Sequence, residues 1–276
     1  MQRNTIFILS LLLTGLIAVE NYTGLMTDHF YDQETLNWQA QSMGQDLINL
    51  LLVVPGLLIT SWLTYKHNKI APIIKAGILL YVSYTFTIYC FNIHFNRLFL
   101  LYCFTLGLSF YMLCHFVISN IDVVNESVKL KSTAATVTGF YFLAIALLFY
   151  FLWLSEIVPA SIENKLPQSL ADTGLFTNGV QVIDLALLLP GVFITGILLL
   201  QRSAVAQILA PVILTFFVLM DITIATLTLV MNIKGIESDL SVMVIMALLD
   251  IFSLVLLVWF IRENIVNRSA EHHSKT

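Results

Sequence analysis

The chain has 276 residues, 58% of them hydrophobic and 11% charged, with a formal net charge of −4 and a mean hydropathy of +0.88. A soluble domain carries about a quarter charged residues and less than half apolar ones, so this composition excludes one. Nucleic acid is excluded as a partner, because the net charge is negative and the sequence has no basic face.

The lipid bilayer must then act as solvent, and only helices or closed barrels satisfy their backbone groups there. A barrel would read as ~10-residue alternating strands, whereas this sequence holds long continuous apolar runs. At about 20 apolar residues per crossing, it reads as an all-α membrane protein with eight transmembrane helices. In chain order the predicted spans are 4–20, 45–65, 71–91, 97–118, 135–155, 179–200, 207–231 and 240–261. Arg3 ahead of the first run invites comparison with a secretory signal, but Ala18-Val19-Glu20 puts a charge where cleavage needs a small residue. The first span is expected to be a retained helix.

Positive loops resist translocation, so Lys and Arg report orientation. With the N-terminus inside, ten of the thirteen Lys and Arg residues fall cytoplasmic, and only Arg97, Lys165 and Lys234 fall outside. Both termini are therefore expected in the cytoplasm. The acidic segment with Asp28, Asp32 and Glu34 is expected outside.

The sequence also repeats itself. Gln45-Asp46-Leu47-Ile48-Asn49 through Pro55-Gly56 aligns with Val180-Gln181-Val182-Ile183-Asp184 through Pro190-Gly191 at an offset of 135. Ile59-Thr60 then meets Ile194-Thr195, and Glu20 and Glu156 each close a first helix at nearly the same offset. The expected domains are 1–125, a first four-helix repeat; 126–134, a cytoplasmic connector; 135–265, a second four-helix repeat; and 266–276, a cytoplasmic tail. Each repeat has an even number of spans, so the two insert in parallel about an axis along the membrane normal.

The stretch from Gln45-Asp46 to Pro55, then Tyr81-Val82-Ser83-Tyr84 through Phe95-Asn96-Arg97 to Tyr102, and Val182-Ile183-Asp184-Leu185 to Pro190 resembles a group of uncharacterised bacterial multi-pass membrane proteins. The resemblance covers residues 40–262. It implies a location in the bacterial cytoplasmic membrane and no particular reaction.

Ionisable residues within spans are costly, about 2.5–3.5 kcal/mol at helix centre, and so are functional candidates. Asp46 and Asn49 share one helix face, as do Gln181 and Asp184. These four read either as a substrate-binding site where the repeats meet or as N-terminal caps complementing the helix dipole. Tyr84, sharing a face with Tyr81, is a further substrate-binding candidate, since a phenol can donate to a solute. Asp221 and Asp250 near the centres of spans seven and eight are candidates for proton coupling, or else for neutral hydrogen bonds between helices. Pro55 and Pro190 are expected to kink their helices and free a carbonyl. Lys75 is expected to snorkel to the interface, Tyr89 and Tyr102 to sit in an aromatic belt, and His94 with Arg97 to form a solvated loop or a small anion site.

Cys90, Cys103 and Cys114 lie in apolar runs and read as packing residues. No HExxH, GxSxG, GxxxxGK[ST] or GxGxxG pattern occurs, so neither a metal nor any other cofactor is expected. The leading expectation is transport or binding of a small-molecule solute at the repeat interface. The alternatives are a membrane-embedded enzyme acting on a lipid or isoprenoid, with an intramembrane Asp as acid or base and His115 or a tyrosine assisting, and a scaffold or assembly factor without a solute site. The residues carry no signal for an oligomeric state.

Overall fold

The computed structural model describes residues 3–120 and 132–266. Most of the expected connector and the tail from 267 onward lie outside the described residues. Among the described residues eight helices are long and apolar enough to span a membrane: α1 (Arg3–Met26), α2 (Leu36–Tyr65), α3 (Ala71–Asn92), α4 (Phe99–Ser119), α5 (Thr133–Glu163), α7 (Gly179–Leu200), α8 (Ala204–Ile233) and α9 (Leu240–Asn264). A short helix, α6 (Gln168–Thr173), precedes α7. The fold is 84% helical, with no strand among the described residues.

Three helices run past their predicted ends. α1 continues to Met26, α5 to Glu163, and α2 begins at Leu36 rather than at 45. Hydropathy misses the added turns of α1 and α2 because polar side chains there, Asn21 and Ser42 among them, are buried in the protein, whereas the added turns of α5 carry exposed Ser161 and Glu163. Thr35 caps α2 by accepting from Trp38 N at 3.2 Å. Trp38 Nε1 in turn donates to the Asn92 carbonyl at 2.8 Å, tying α2 to the end of α3. Glu20 closes no helix: it is buried in α1, where Thr105 Oγ1 of α4 donates to its carboxylate at 3.0 Å. Glu156 likewise lies inside α5.

Packing follows a regular scheme. α1 packs on α2 and α4, α2 on α3, and α3 on α4; α5 packs on α7 and α9, α7 on α8, and α8 on α9. Between these sets α3 packs on α8 and α7, and α2 packs on α8. Lipid offers no hydrophobic gain for helix association, so close approach at small residues and interhelical hydrogen bonds must supply the cohesion. Gly77 does this between α3 and α8, where an added Cβ would meet the Thr215 Cβ at 2.4 Å. Gly139 and Gly196 face each other between α5 and α7, each placing a Cβ position within 3.1 Å of the other's carbonyl oxygen.

Pro55 and Pro190 sit at matching irregularities. Residues Asn49–Val53 and Asp184–Leu188 each form a π turn directly before the proline-led α segment. In an α register the carbonyl four residues before each proline would lack a donor, because proline has no N–H. The wider turn re-pairs the chain, with Val54 N–H reaching Asn49 O and Leu189 N–H reaching Asp184 O. One residue after each proline, the carbonyls of Gly56 and Gly191 accept from Thr60 and Thr195, both at 2.7 Å.

The end of the bundle bearing segments 27–35, 93–98, 164–178 and 234–239 is the loop end; 66–70 and 201–203 mark the opposite end. At that opposite end Glu263 accepts from Ser132 Oγ and Ala134 N, so the end of α9 caps the start of α5. Arg3 lies over the Tyr65 ring, 4.3 Å from its centroid.

Candidate functional site

A cavity of about 500 Å³ opens between α2 and α3 on one side and α5, α7, α8 and α9 on the other, with α6 at its rim. Its size suits a small organic molecule. The rim at the loop end is polar, with Asn37, Gln41, Ser169, Asp172 and Asn178. The interior is mainly aromatic and aliphatic.

Asp184, Tyr84 and Trp153 meet on this wall. The π turn of α7 begins at Asp184, whose carboxylate accepts from Tyr84 on α3 at 3.0 Å and from Trp153 Nε1 on α5 at 2.9 Å. Deeper in the cavity, Asp221 of α8 lines the wall and accepts no hydrogen bond among the described residues. Asp250 is its electrostatic neighbour on α9; it lies off the wall, and its buried Oδ1 has no hydrogen-bond partner among the described residues. Tyr141 of α5 also lines the cavity and shares a 2.7 Å hydrogen bond with Ser253 of α9.

The other expected binding residues lie close by but off the cavity wall. Asp46 is fully buried and accepts from Tyr31 at 2.7 Å and from Tyr89. Asn49 donates to Asn21 of α1 at 2.7 Å. Gln181 donates to Glu156 of α5 and to Ser169 of α6, both at 3.3 Å. These side chains hold α1 to α2 and α5 to α7. Outside the spans, burial and the Asp46 carboxylate together push the Tyr31 phenol well above its ordinary range, so it stays a donor.

Other expectations shift with the geometry. Tyr89 and Tyr102 are buried and pack edge to face, so neither belongs to an interfacial belt. Lys75 does not snorkel: it is buried in α3, with Nζ 3.5 Å from Ser10 Oγ of α1. His94 is engaged by Glu34 at 3.0 Å and Arg97 donates to Thr27 at 3.2 Å, which leaves no open anion site between them. His115 on α4 is remote from the cavity wall. Among the described residues no group of three His, Cys, Asp or Glu side chains is placed to hold a metal ion.

Trp153, Gln45 and Tyr141 line the cavity without having been singled out by sequence. Trp153 and Tyr141 stand in a continuous apolar run, where an aromatic reads as lipid-facing. Gln45 shares the duplicated motif with Asp46, and that adjacency was its one signal. It donates to Tyr81 at 2.6 Å, and Tyr81 in turn meets Thr223 of α8 at 2.6 Å.

A bundle of eight bilayer-length helices around an internal cavity defines a multi-pass helical membrane protein. No family model matches the chain, and neither the curated proteins nor the solved structures give a match to it.

Proposed function

We propose that the protein binds a small solute in the cavity between two parallel four-helix units and carries it across a bacterial cytoplasmic membrane. The units are residues 1–125 and 135–265. Support for the duplication comes from the parallel packing schemes of the two halves, the π turns at Asn49 and Asp184 and the paired Thr60 and Thr195 hydrogen bonds. The charge distribution favours cytoplasmic termini, which turns the loop end and the rim of the cavity outward.

The observation that carries the reading is the Asp184 carboxylate on the cavity wall, aimed by Tyr84 from one unit and Trp153 from the other. A carboxylate held by donors from both units responds to their relative movement, which alternating access requires. Tyr84 and Asp184 contact the solute, and Asp221 with Asp250 behind it handles the coupling proton. Asp46, Asn49 and Gln181 keep the surrounding helices in register.

The test is a thermal-shift screen of purified protein against metabolites, lipids and ions, with wild type and Asp184→Asn side by side. A ligand of the folded state at 100 times its Kd adds about 2.7 kcal/mol. A compound that shifts the wild type and not the variant supports the reading. If no compound shifts the wild type while the variant melts earlier, Asp184 is structural and the reading fails.

A further inference from the structure

The cavity wall is one-signed. It carries three carboxylates, Asp172, Asp184 and Asp221, and no Lys, Arg or His among the described residues. The three stand at successive depths: Asp172 is at the rim, Asp184 lies five residues into α7, and Asp221 is twelve residues from the loop end of α8. At 1.5 Å rise per residue these are depths of about 8 and 18 Å. Negative charge thus leads from the mouth toward the middle of the bilayer.

Asp184 and Asp221 differ in what already satisfies them. Each oxygen of Asp184 accepts from a neutral donor of the protein. Asp221 is only 7% exposed, yet no donor reaches it among the described residues, and its electrostatic neighbours are the Asp250 carboxylate of α9 and the Tyr141 phenol of α5. A buried carboxylate without a donor is costly, and a ligand ammonium would supply both the N–H groups and the opposite charge. The surrounding rings add what an organic cation uses: Trp153, Tyr84 and Phe217 line the wall and give aromatic and apolar area to a hydrocarbon body. Among the described residues no three His, Cys, Asp or Glu side chains are grouped to hold a metal ion, and an anion would meet three carboxylates.

We infer that the ligand is an amphipathic organic cation, an aryl or alkyl amine whose ammonium group docks on Asp221 while its apolar body lies among the aromatic side chains of α3, α5 and α8. This inference rests on the reading of the cavity as a solute site, names the class of that solute, and makes Asp221 the group for which the solute ammonium and the coupling proton compete.

The experiment is equilibrium dialysis of the full chain in nanodiscs, with empty nanodiscs correcting for partition into lipid. The probes are 4-phenylbenzylamine, 4-phenylbenzyl alcohol and 4-phenylbenzoate, which share one ring system and carry positive, neutral and negative charge. The expected result is saturable amine binding at least about tenfold tighter than the alcohol, weaker still for the carboxylate, with Asp221→Asn erasing the preference. If Asp221→Asn does not fold, the charge series on the wild type decides alone. Amine and alcohol binding alike, both lost in the cavity-filling variant Met220→Trp, overturns the cation inference and leaves the solute site standing. No saturable binding of any probe also overturns the inference, and the site itself is then judged by the solute screen.

Discussion

Tyr84 on α3 donates a 3.0 Å hydrogen bond to Asp184 on α7, across 100 residues of sequence and between the two halves of the chain. Interhelical hydrogen bonds in membranes contribute about 0.6 kcal/mol on average and up to ~1.7. Tyr84→Phe is therefore expected to lower stability by about 0.6–1.7 kcal/mol, read from unfolding in mixed micelles. A loss several times larger would mean that the pair is a structural pillar and not a poised contact.

Asp46 gives the contrasting case. It is fully buried with two phenol donors, so Asp46→Leu strands both Tyr31 and Tyr89. An orphaned buried donor costs about 1–3 kcal/mol, so with two stranded the variant should lose about 2–6 kcal/mol and fold in reduced yield. Asp221, which has no protein donor to strand, should tolerate Asn with little change in melting temperature. Equal losses at the two positions would contradict this division between framework and site.

Glycine substitutions separate contact from conformation. Gly77→Leu forces side-chain atoms into Thr215 and should block the α3–α8 contact, abolishing a monodisperse protein peak on size exclusion. Gly107→Ala in α4 meets nothing within 4 Å and should be neutral or stabilising by up to about 1 kcal/mol through helix propensity.

The start of α9 should respond to acid. Asp239 caps it by accepting from Ser241 N at 2.8 Å, and this hydrogen bond holds the carboxyl below its ordinary value of 3.8. A depressed folded pKa means that the cap's contribution is complete above the unfolded value and is lost as pH falls through the folded one. Protection of the amides in the first turn of α9, read as exchange relative to the intrinsic rate at each pH, is expected to be full at pH 5 and to fall below about pH 3.8. Asp239→Asn should cap without that pH dependence.

Much of this architecture is legible in the sequence because lipid imposes one rule: about 20 apolar residues in a row make a crossing. The rule fails at Leu36–Gly44, where Asn37, Gln41 and Ser42 read as loop. These residues line the cavity, and hydropathy cannot distinguish a polar face turned to water from one turned inward. Tyr89 fails for a related reason, since a tyrosine near the boundary looks the same whether it faces headgroups or Asp46. The duplicated motif marks Asp184 as a residue to examine, and it lies on the cavity wall, but its partners Tyr84 and Trp153 come from other helices and no spacing pairs them with it. Asp221 stood out by cost alone, and the cavity supplies the geometric context for that cost.

Access to the cavity is the most direct test of the account. With Cys90, Cys103 and Cys114 replaced by Ser, Thr228→Cys puts one thiol on the cavity wall, and Leu147→Cys puts one on an exposed apolar face of α5. Both are treated in nanodiscs with a methanethiosulfonate bearing an ethylammonium group. The cavity thiol is expected to react at least about tenfold faster than the lipid-facing one, and a bound solute from the screen is expected to protect it. Equal, slow reaction at the two positions would contradict a solute-accessible site between the helices.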